Sequence, residues 1–572
     1  MRNAELARIF REIALYLEMK EEPFKPRAYE KVAYSLEALG EEAAEIYKRG
    51  GVKALRTIPG VGEAIAEKIE ELLKTGRLRY YEGLKKEVPV DVGGLTAIEG
   101  VGPRSVKLLY EKLGIKKVAD LEQAARAGKI RELAHFGEKM EQKILKGIEF
   151  LKQGSGRFPL GSVLPLITEI GQRLSGLPEV EEVVVAGSTR RWKETIGDAD
   201  ILAISRKPEK IMEFFVSMAE VMDIQGRGKT KSTVKLKNGM DVDLRVVPRE
   251  SFGAALNYFT GSKDHNVALR RIAQDKGLKL NEYGLFRGSK RVAGKTEEEL
   301  YKALGLSFIP PELRENQGEI EAAKKGELPD LVGYGDLRGD LQTQTSWTDG
   351  ANSIEEMAGE AKRLGLEYIA ITDHTKGLAM TGGSDEKKLL RQMEAIDKIN
   401  RSLKGINLLK GAEVNINKDG TLDIEDKVLA QLDVVGIAVH SHFNLPRREM
   451  TERIVRAMRN PHADILFHPT GRVIQKREPY DVDMDAVIRT AKETGAVLEI
   501  DAYPDRLDLK DEHVRKAVAA GVKLVIDSDA HSINHMRFLE FGVAQARRGW
   551  AEKKDVINTR PLKEFLKALK GR

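Results

Sequence analysis

A chain of 572 residues is too long for one hydrophobic core, so several domains are expected. Its composition, 41% hydrophobic and 32% charged with no cysteine, describes a globular cytoplasmic protein and excludes disulfides and thiolate metal sites, leaving His, Asp and Glu for any tightly held metal. The net charge is +6, and the surplus of Lys and Arg lies before about residue 330, which favours a nucleic-acid partner for the front of the chain. No apolar run has the length of a membrane span, and Met1 to Glu22 alternates charged and apolar residues as an amphipathic helix, not a signal peptide.

Residues 1 to about 150 carry apolar side chains at helical spacing, as in Leu6, Ile9, Phe10, Ile13 and Leu17, and read as nearly all helix. A motif repeats within them. Ile58-Pro59-Gly60-Val61-Gly62 precedes the helical Ala64-Ile65-Ala66-Glu67-Lys68-Ile69, and Ile98-Glu99-Gly100-Val101-Gly102 precedes Ser105-Val106-Lys107-Leu108-Leu109, with a fainter copy at Phe136-Gly137-Glu138-Lys139. Each resembles a helix-hairpin-helix. The glycine pairs Gly60, Gly62 and Gly100, Gly102 let the chain turn tightly at a helix N-terminus, where free amides bind a DNA phosphate without reading bases. Gln153-Gly154-Ser155-Gly156 then reads as a short hinge.

Strands and helices alternate from there to about residue 315. A buried strand, Val183-Val184-Val185-Ala186, leads into Gly187-Ser188 and the cations Arg190 and Arg191, followed by Gly197-Asp198-Ala199-Asp200. On a strand, Asp198 and Asp200 point the same way and can hold divalent metal, while the Gly-Ser turn and the arginines suit a polyphosphate. That is nucleotidyl-transfer chemistry in outline. A third carboxylate comes from Met240-Asp241-Val242-Asp243-Leu244-Arg245, where alternation puts Asp241 and Asp243 on one face and spacing does not choose between them. Beyond lie Tyr258-Phe259-Thr260-Gly261-Ser262, Asn266 and Arg270, with aromatics beside a glycine turn that could flank a nucleotide.

Gly318 to Pro329 reads as a linker or connecting helix, and from about 336 strand and helix alternate, with strands at 368–371, 434–439, 465–467, 496–500 and 523–526. Eight of the ten histidines follow residue 330. Several end an apolar strand, as in Asp373-His374, Val439-His440, Phe467-His468 and Asp529-Ala530-His531, and Glu413 likewise follows Leu408-Leu409-Lys410-Gly411-Ala412. A barrel gathers its strand ends at one mouth, so these scattered ligands would converge on metal.

The front of the chain closely resembles the family X DNA polymerases, the group that includes DNA polymerase beta, through its hairpin pair, Gly187-Ser188, the Asp198 and Asp200 pair, Asp243-Leu244-Arg245 and Tyr258-Phe259-Thr260-Gly261-Ser262. The resemblance implies all-α helix-hairpin-helix domains at 1–85 (lyase-like) and 86–152 (fingers-like), an α+β nucleotidyltransferase palm at 153–245 and a thumb at 246–315. It implies Asp198, Asp200 and Asp243 as the catalytic triad for Mg²⁺ or Mn²⁺, in gap-filling repair synthesis on gapped or primed DNA from deoxynucleoside triphosphates. Ser188, Arg191 and Gly197 would contact the triphosphate, Tyr258 and Phe259 its sugar and Asn266 its base, with Gly187 and Gly261 also nucleotide-binding and Arg270 on the template strand. Lys68 falls on the family's Schiff-base lysine, which implies abasic-site lyase activity, with Lys25 as a neighbouring cation.

After a linker at 316–335, residues 336–572 resemble the polymerase and histidinol phosphatase (PHP) domain, a distorted (β/α)7 TIM-like barrel with 3′–5′ exonuclease activity on Zn²⁺ or Mn²⁺. Seven of the family's ligand positions match, at Asp349, His374, Glu413, His440, His468, Asp529 and His531. The opening motif departs from it. Where the family has two histidines this chain has Gln342 and Gln344, whose neutral amide oxygens are poor ligands for a transition metal. The pattern assigns both to one metal and leaves His440 and His468 with Glu413, and Asp349, His374 and His531, as intact sites. Reduced metal occupancy and weak nuclease activity are therefore expected, in a monomer whose main activity is the polymerase. The alternative is a metal-dependent end-processing nuclease with the front part as its DNA-binding platform.

Overall fold

The computed structural model describes residues 1–569 except 2, 24, 38, 40–41, 59, 99, 134–135, 154–155 and 379–380. Gly154 and Ser155 of the expected hinge, and Pro59 and Glu99 of the hairpin loops, lie outside the described residues.

The front part is helical, from Asn3–Met19 to Glu138–Gln153. Leu6, Phe10, Ile13 and Leu17 form one face of the first helix and are buried in a common core with Ile69, Leu72, Val106 and Leu109 of the later ones. Helices Glu63–Thr75 and Pro103–Leu113 each start at an extended glycine, Gly62 or Gly102, two residues after a left-handed one, Gly60 at φ 77° or Gly100 at φ 86°. All four glycines are exposed, and a Cβ added to Gly62 or Gly102 would meet nothing within 4 Å. The helix N-termini are thus open to a phosphate group.

Next comes a five-stranded sheet in the order Val180–Val185, Asp198–Ser205, Asp241–Val247, Lys231–Leu236, Val221–Arg227. The two aspartate strands run parallel, and the other neighbours are antiparallel. Ile201, Ala203, Val242 and Leu244 pack with Val163, Ile167, Ile211 and Phe215 from helices Leu160–Ser175 and Pro208–Val216. Val183 to Val185, read from sequence as buried, are only half-buried, because their strand is the edge of this sheet. The following unit has helices Phe252–Thr260, Lys263–Asp275 and Glu297–Leu304 around a three-stranded antiparallel sheet. The segment after it is folded, with Ile320 and Ala323 of helix Glu319–Lys325 joining the same core.

The C-terminal part is a seven-stranded parallel sheet in strict chain order, Gly339–Thr343, Tyr368–Ile371, Asn407–Asn415, Val434–Ala438, Ile465–Leu466, Val497–Asp501 and Leu524–Asp527. Its ends nearly meet: Leu341 N donates to Asp527 Oδ1 at 2.8 Å and Ala530 N to the Gln342 carbonyl at 3.2 Å. Leu341, Ala370, Val434, Ile465, Phe467 and Val525 fill the interior, and the outer faces of the strands pack against the surrounding helices. Strand-then-helix alternation predicts a barrel-like α/β domain, and the seven strands form the distorted (β/α)7 barrel that the PHP resemblance implies. Among the described residues, no helix is long and apolar enough to cross a membrane.

Candidate active sites

Parallel register sets Asp198 opposite Asp241 and Asp200 opposite Asp243. The chain turns at Gly187, φ 63°, where a Cβ would lie 2.5 Å from Asp200 Oδ2, so only glycine lets the turn approach this carboxylate. Burial, and repulsion from Asp198 and then Asp243, push the Asp200 carboxyl up to about 7. Asp243 accepts from Thr233 Oγ1 at 2.5 Å and pairs with Lys231 at 2.9 Å, whereas Asp241 is held by Lys235 at 2.7 Å and Gln225 at 3.1 Å. Three carboxylates whose mutual repulsion is felt at the half-buried Asp200 suit a divalent cation.

The two arginines after the turn have separate roles. Arg190 was read from sequence as positive charge for a polyphosphate, but its guanidinium grips Glu297 at 2.7 and 3.0 Å and donates to Thr260 Oγ1 at 2.7 Å. Glu297 is buried, so it needs a cation there, and Arg314 supplies a second at 2.5 Å. Arg191 donates to the Thr260 carbonyl and to Glu315 at 3.0 Å. A Cβ on Gly261, φ 72°, would come 3.0 Å from Arg191 Nη1, so the glycine turn and the arginine are packed together.

Tyr258 is exposed at the end of its helix, and the Arg245 guanidinium covers the Phe259 ring at 4.4 Å. Asn266, on the next helix, is buried and donates to the Tyr258 carbonyl at 2.7 Å, while Arg270 on that same helix is exposed. Ser188 is half-buried beside the turn, and Gly197, just before the aspartate strand, lies against Arg157. In the hairpin region Lys68 Nζ donates to the Ala64 carbonyl at 3.1 Å and lies 5.1 Å from the centre of the Tyr80 ring. Lys25 is paired with Glu22 at 2.8 Å.

At the barrel mouth Glu413 is fully buried among histidines. Its Oε1 is 2.9 Å from Nε2 of both His440 and His468, and its Oε2 is 3.2 Å from His374 Nδ1. His440 Nδ1 contacts Asn415 Oδ1 at 2.6 Å, an arrangement that leaves Nε2 as the ligating lone pair. Among the described residues, two groups have ligand atoms close enough to share an ion, Asp349 with His374 and His531, and His374 with Glu413 and His440. A neutral imidazole has one free lone pair, so His374 serves one group at a time.

The two glutamines behave differently from ligands. Gln344 Nε2 donates to Glu413 Oε2 at 3.0 Å and leaves its own oxygen without a partner, and the Gln342 amide nitrogen in its satisfied orientation donates to Glu499 at 2.5 Å. Each turns its amide hydrogens to a carboxylate, and the unpaired Gln344 oxygen is a poorer metal donor than an imidazole nitrogen. Asp529, φ 50°, lies 3.6 Å from Arg506 Nε, which also reaches Asp501 at 3.5 Å. The donors at Asp349, His374, Glu413, His440 and His531 fit metal, and those at Gln342 and Gln344 do not.

Lys231, Thr233, Glu315 and Arg506 escape the sequence reading. Lys231 and Thr233 alternate on a strand facing Asp243, a periodicity visible in Lys231-Ser232-Thr233, but the strand's partner is not. Nothing local marks Glu315 or Arg506.

A sheet that presents three aspartates beside a glycine turn, behind tandem helix-hairpin-helix units and ahead of a histidine-lined parallel barrel, defines a polymerase beta-like nucleotidyltransferase joined to a PHP barrel. Family models match as Helix-hairpin-helix domain over residues 1–78, SAM-like Helix-hairpin-helix tandem over 93–149, DNA polymerase beta thumb over 255–315 and PHP domain over 340–503. The chain is 36% identical over 575 residues, covering 100% of both chains, to the DNA polymerase/3'-5' exonuclease PolX of Bacillus subtilis. It belongs to that family, the family X DNA polymerases that carry a PHP domain. The chain is also 30% identical over 231 residues to a probable phosphatase of Thermoanaerobacter, covering 38% of this chain and 89% of the relative. A solved structure of Leishmania infantum polymerase beta overlaps 39% of this chain and 99% of its own at 23% identity and a TM-score of 0.26.

Proposed function

We propose that the chain is a DNA-directed DNA polymerase that fills short gaps during DNA repair, with a PHP domain weakened as a phosphoesterase. The observation that carries this reading is the convergence of Asp198 and Asp243 on the half-buried Asp200. Divalent metal held there, Mg²⁺ or Mn²⁺, would offset the charge of the reacting phosphate and favour the ionised form of a primer 3′-hydroxyl. The hydroxyl oxygen attacks the α-phosphorus and the bond to pyrophosphate breaks. Gly187 and Ser188 line the triphosphate with an amide and a hydroxyl, and Arg191 neutralises the leaving pyrophosphate. Gly197 shapes the approach to Asp198, Tyr258 and Phe259 bound the sugar, and Asn266 and Arg270 meet the base and the template strand. The exposed turns at Gly60, Gly62, Gly100 and Gly102 hold backbone phosphates on either side of the gap.

In the PHP domain Asp349, His374, Glu413, His440, His468 and His531 would hold Zn²⁺ or Mn²⁺ to polarise a phosphoester, with the position facing Gln342 and Gln344 unfilled. Replacing Asp198 with Ala is expected to abolish extension on one-nucleotide gapped DNA while DNA binding in a mobility-shift assay is retained. Extension at the wild-type rate would overturn the assignment. The nuclease-first reading requires the barrel to be the better equipped centre, and its donor set is the depleted one.

A further inference from the structure

The loop joining the Gly187 turn to the Asp198 strand is not carried by the palm alone. Trp192 has φ 52°, unusual for a bulky residue, and its ring sits edge-on to Phe541 at 5.3 Å and tilted over Tyr334 at 5.9 Å. On one side of it Arg548, on barrel helix Leu539–Arg548, donates to the Arg191 carbonyl at 2.8 Å. The same guanidinium pairs with Asp511 at 2.6 Å and with Glu315 at 3.3 Å. On the other side Arg472 of the barrel pairs with Glu194 at 2.8 Å. The side chains of Arg548 and Arg472 are 4% and 8% exposed, so these are charges withdrawn from water at a domain boundary and paired across it.

Glu315 is the point of exchange. It takes Arg191 Nε at 3.0 Å, Arg548 at 3.3 Å and Lys193 at 3.8 Å, so one carboxylate is divided among three cations. With Arg548 present, Arg191 holds only part of Glu315 and its backbone is fixed by the contact to its carbonyl. Without Arg548, Glu315 would close on Arg191 and draw its guanidinium away from an incoming phosphate. We propose that the PHP barrel forms the rear wall of the polymerase nucleotide pocket, with Arg548 as a positioning residue that sets Arg191 for the triphosphate. This gives the barrel a role in synthesis that does not depend on hydrolysis. It rests on the reading that Arg191 contacts the triphosphate.

The test is steady-state gap filling by the full-length chain, with KM for the deoxynucleoside triphosphate, kcat and affinity for gapped DNA measured on Arg548→Ala, Arg548→Lys, Arg472→Ala and Arg191→Ala, each checked by thermal melting. Arg548→Ala is expected to raise KM on the order of tenfold with kcat and DNA affinity within about twofold, because the loss is one of nucleotide binding. Arg548→Lys, which keeps the charge but not the fork, recovers part of it. Arg472→Ala, which frees the other end of the loop, raises KM in the same sense and stands in should Arg548→Ala fail to fold. If Arg191→Ala raises KM and the barrel variants leave it unchanged, or lower only kcat, the rear-wall role is wrong. If Arg191→Ala itself leaves KM unchanged, the nucleotide-pocket reading beneath it is wrong.

Discussion

Gly187 shows how much of the polymerase centre depends on a missing side chain. Its left-handed φ and the 2.5 Å approach of a Cβ to Asp200 Oδ2 mean that any other residue must displace the carboxylate. Gly187→Ala is expected to cost on the order of 100-fold in kcat, as a catalytic group moved by about 1 Å does, with the thermal transition still cooperative. The Lys68 contacts to Ala64 and Tyr80 make a separate demand on the lyase reading, since the amine must leave both to form a Schiff base. Borohydride trapping of an abasic-site oligonucleotide, lost in Lys68→Ala, is the outcome that reading predicts. At this scale the sequence was informative wherever chemistry is local. Asp198 and Asp200 announce themselves by strand alternation, and Gln342 and Gln344 by standing where histidines belong. Arg190 was misread because its partner, Glu297, is 107 residues away and buried.

At the scale of elements, the thumb is organised by a buried polar chain that no spacing reveals. Tyr301 Oη meets His265 Nε2 at 2.9 Å, and His265 Nδ1 meets Glu319 Oε1 at 2.7 Å, all three buried. Burial holds the imidazole below its usual 6.5, and the contact with His265 and backbone donors holds the Glu319 carboxyl below 4.5 against burial. Both groups stabilise the fold in the same direction. A depressed histidine is fully stabilising above the unfolded value and loses its contribution as the solution acidifies through it, and a depressed carboxylate loses its own at lower pH still. The melting temperature should therefore fall as the pH drops below 6.5, and less steeply in His265→Gln. The opening of the barrel makes a second prediction. Restoring both ligands with Gln342→His and Gln344→His should raise bound metal, measured by elemental analysis, and increase manganese-dependent exonuclease activity. Unchanged metal content in a folded double variant would show that something other than the amides keeps the position empty.

At the scale of the whole molecule, periodicity anticipated the helical front, the alternating strands and helices behind it and a barrel-like C-terminal domain, because each is built from short-range patterns repeated along the chain. It could not anticipate how they meet. Arg548 and Arg191 are 357 residues apart, and Arg472 and Glu194 are 278 apart, and no local pattern connects either pair. Asp241 and Asp243 pose the same problem in miniature, since they share a strand face and differ only in what packs beside them. Asp243, opposite Asp200, belongs to the proposed catalytic set, and Asp241, opposite Asp198, is paired with Lys235 and Gln225. Primer extension on one-nucleotide gapped DNA by the wild type, Asp243→Asn and Asp241→Asn tests the central claim most directly. Extension by the wild type and by Asp241→Asn, with none by Asp243→Asn, is the predicted result; no extension by the wild type, or equal extension by Asp243→Asn, would contradict it.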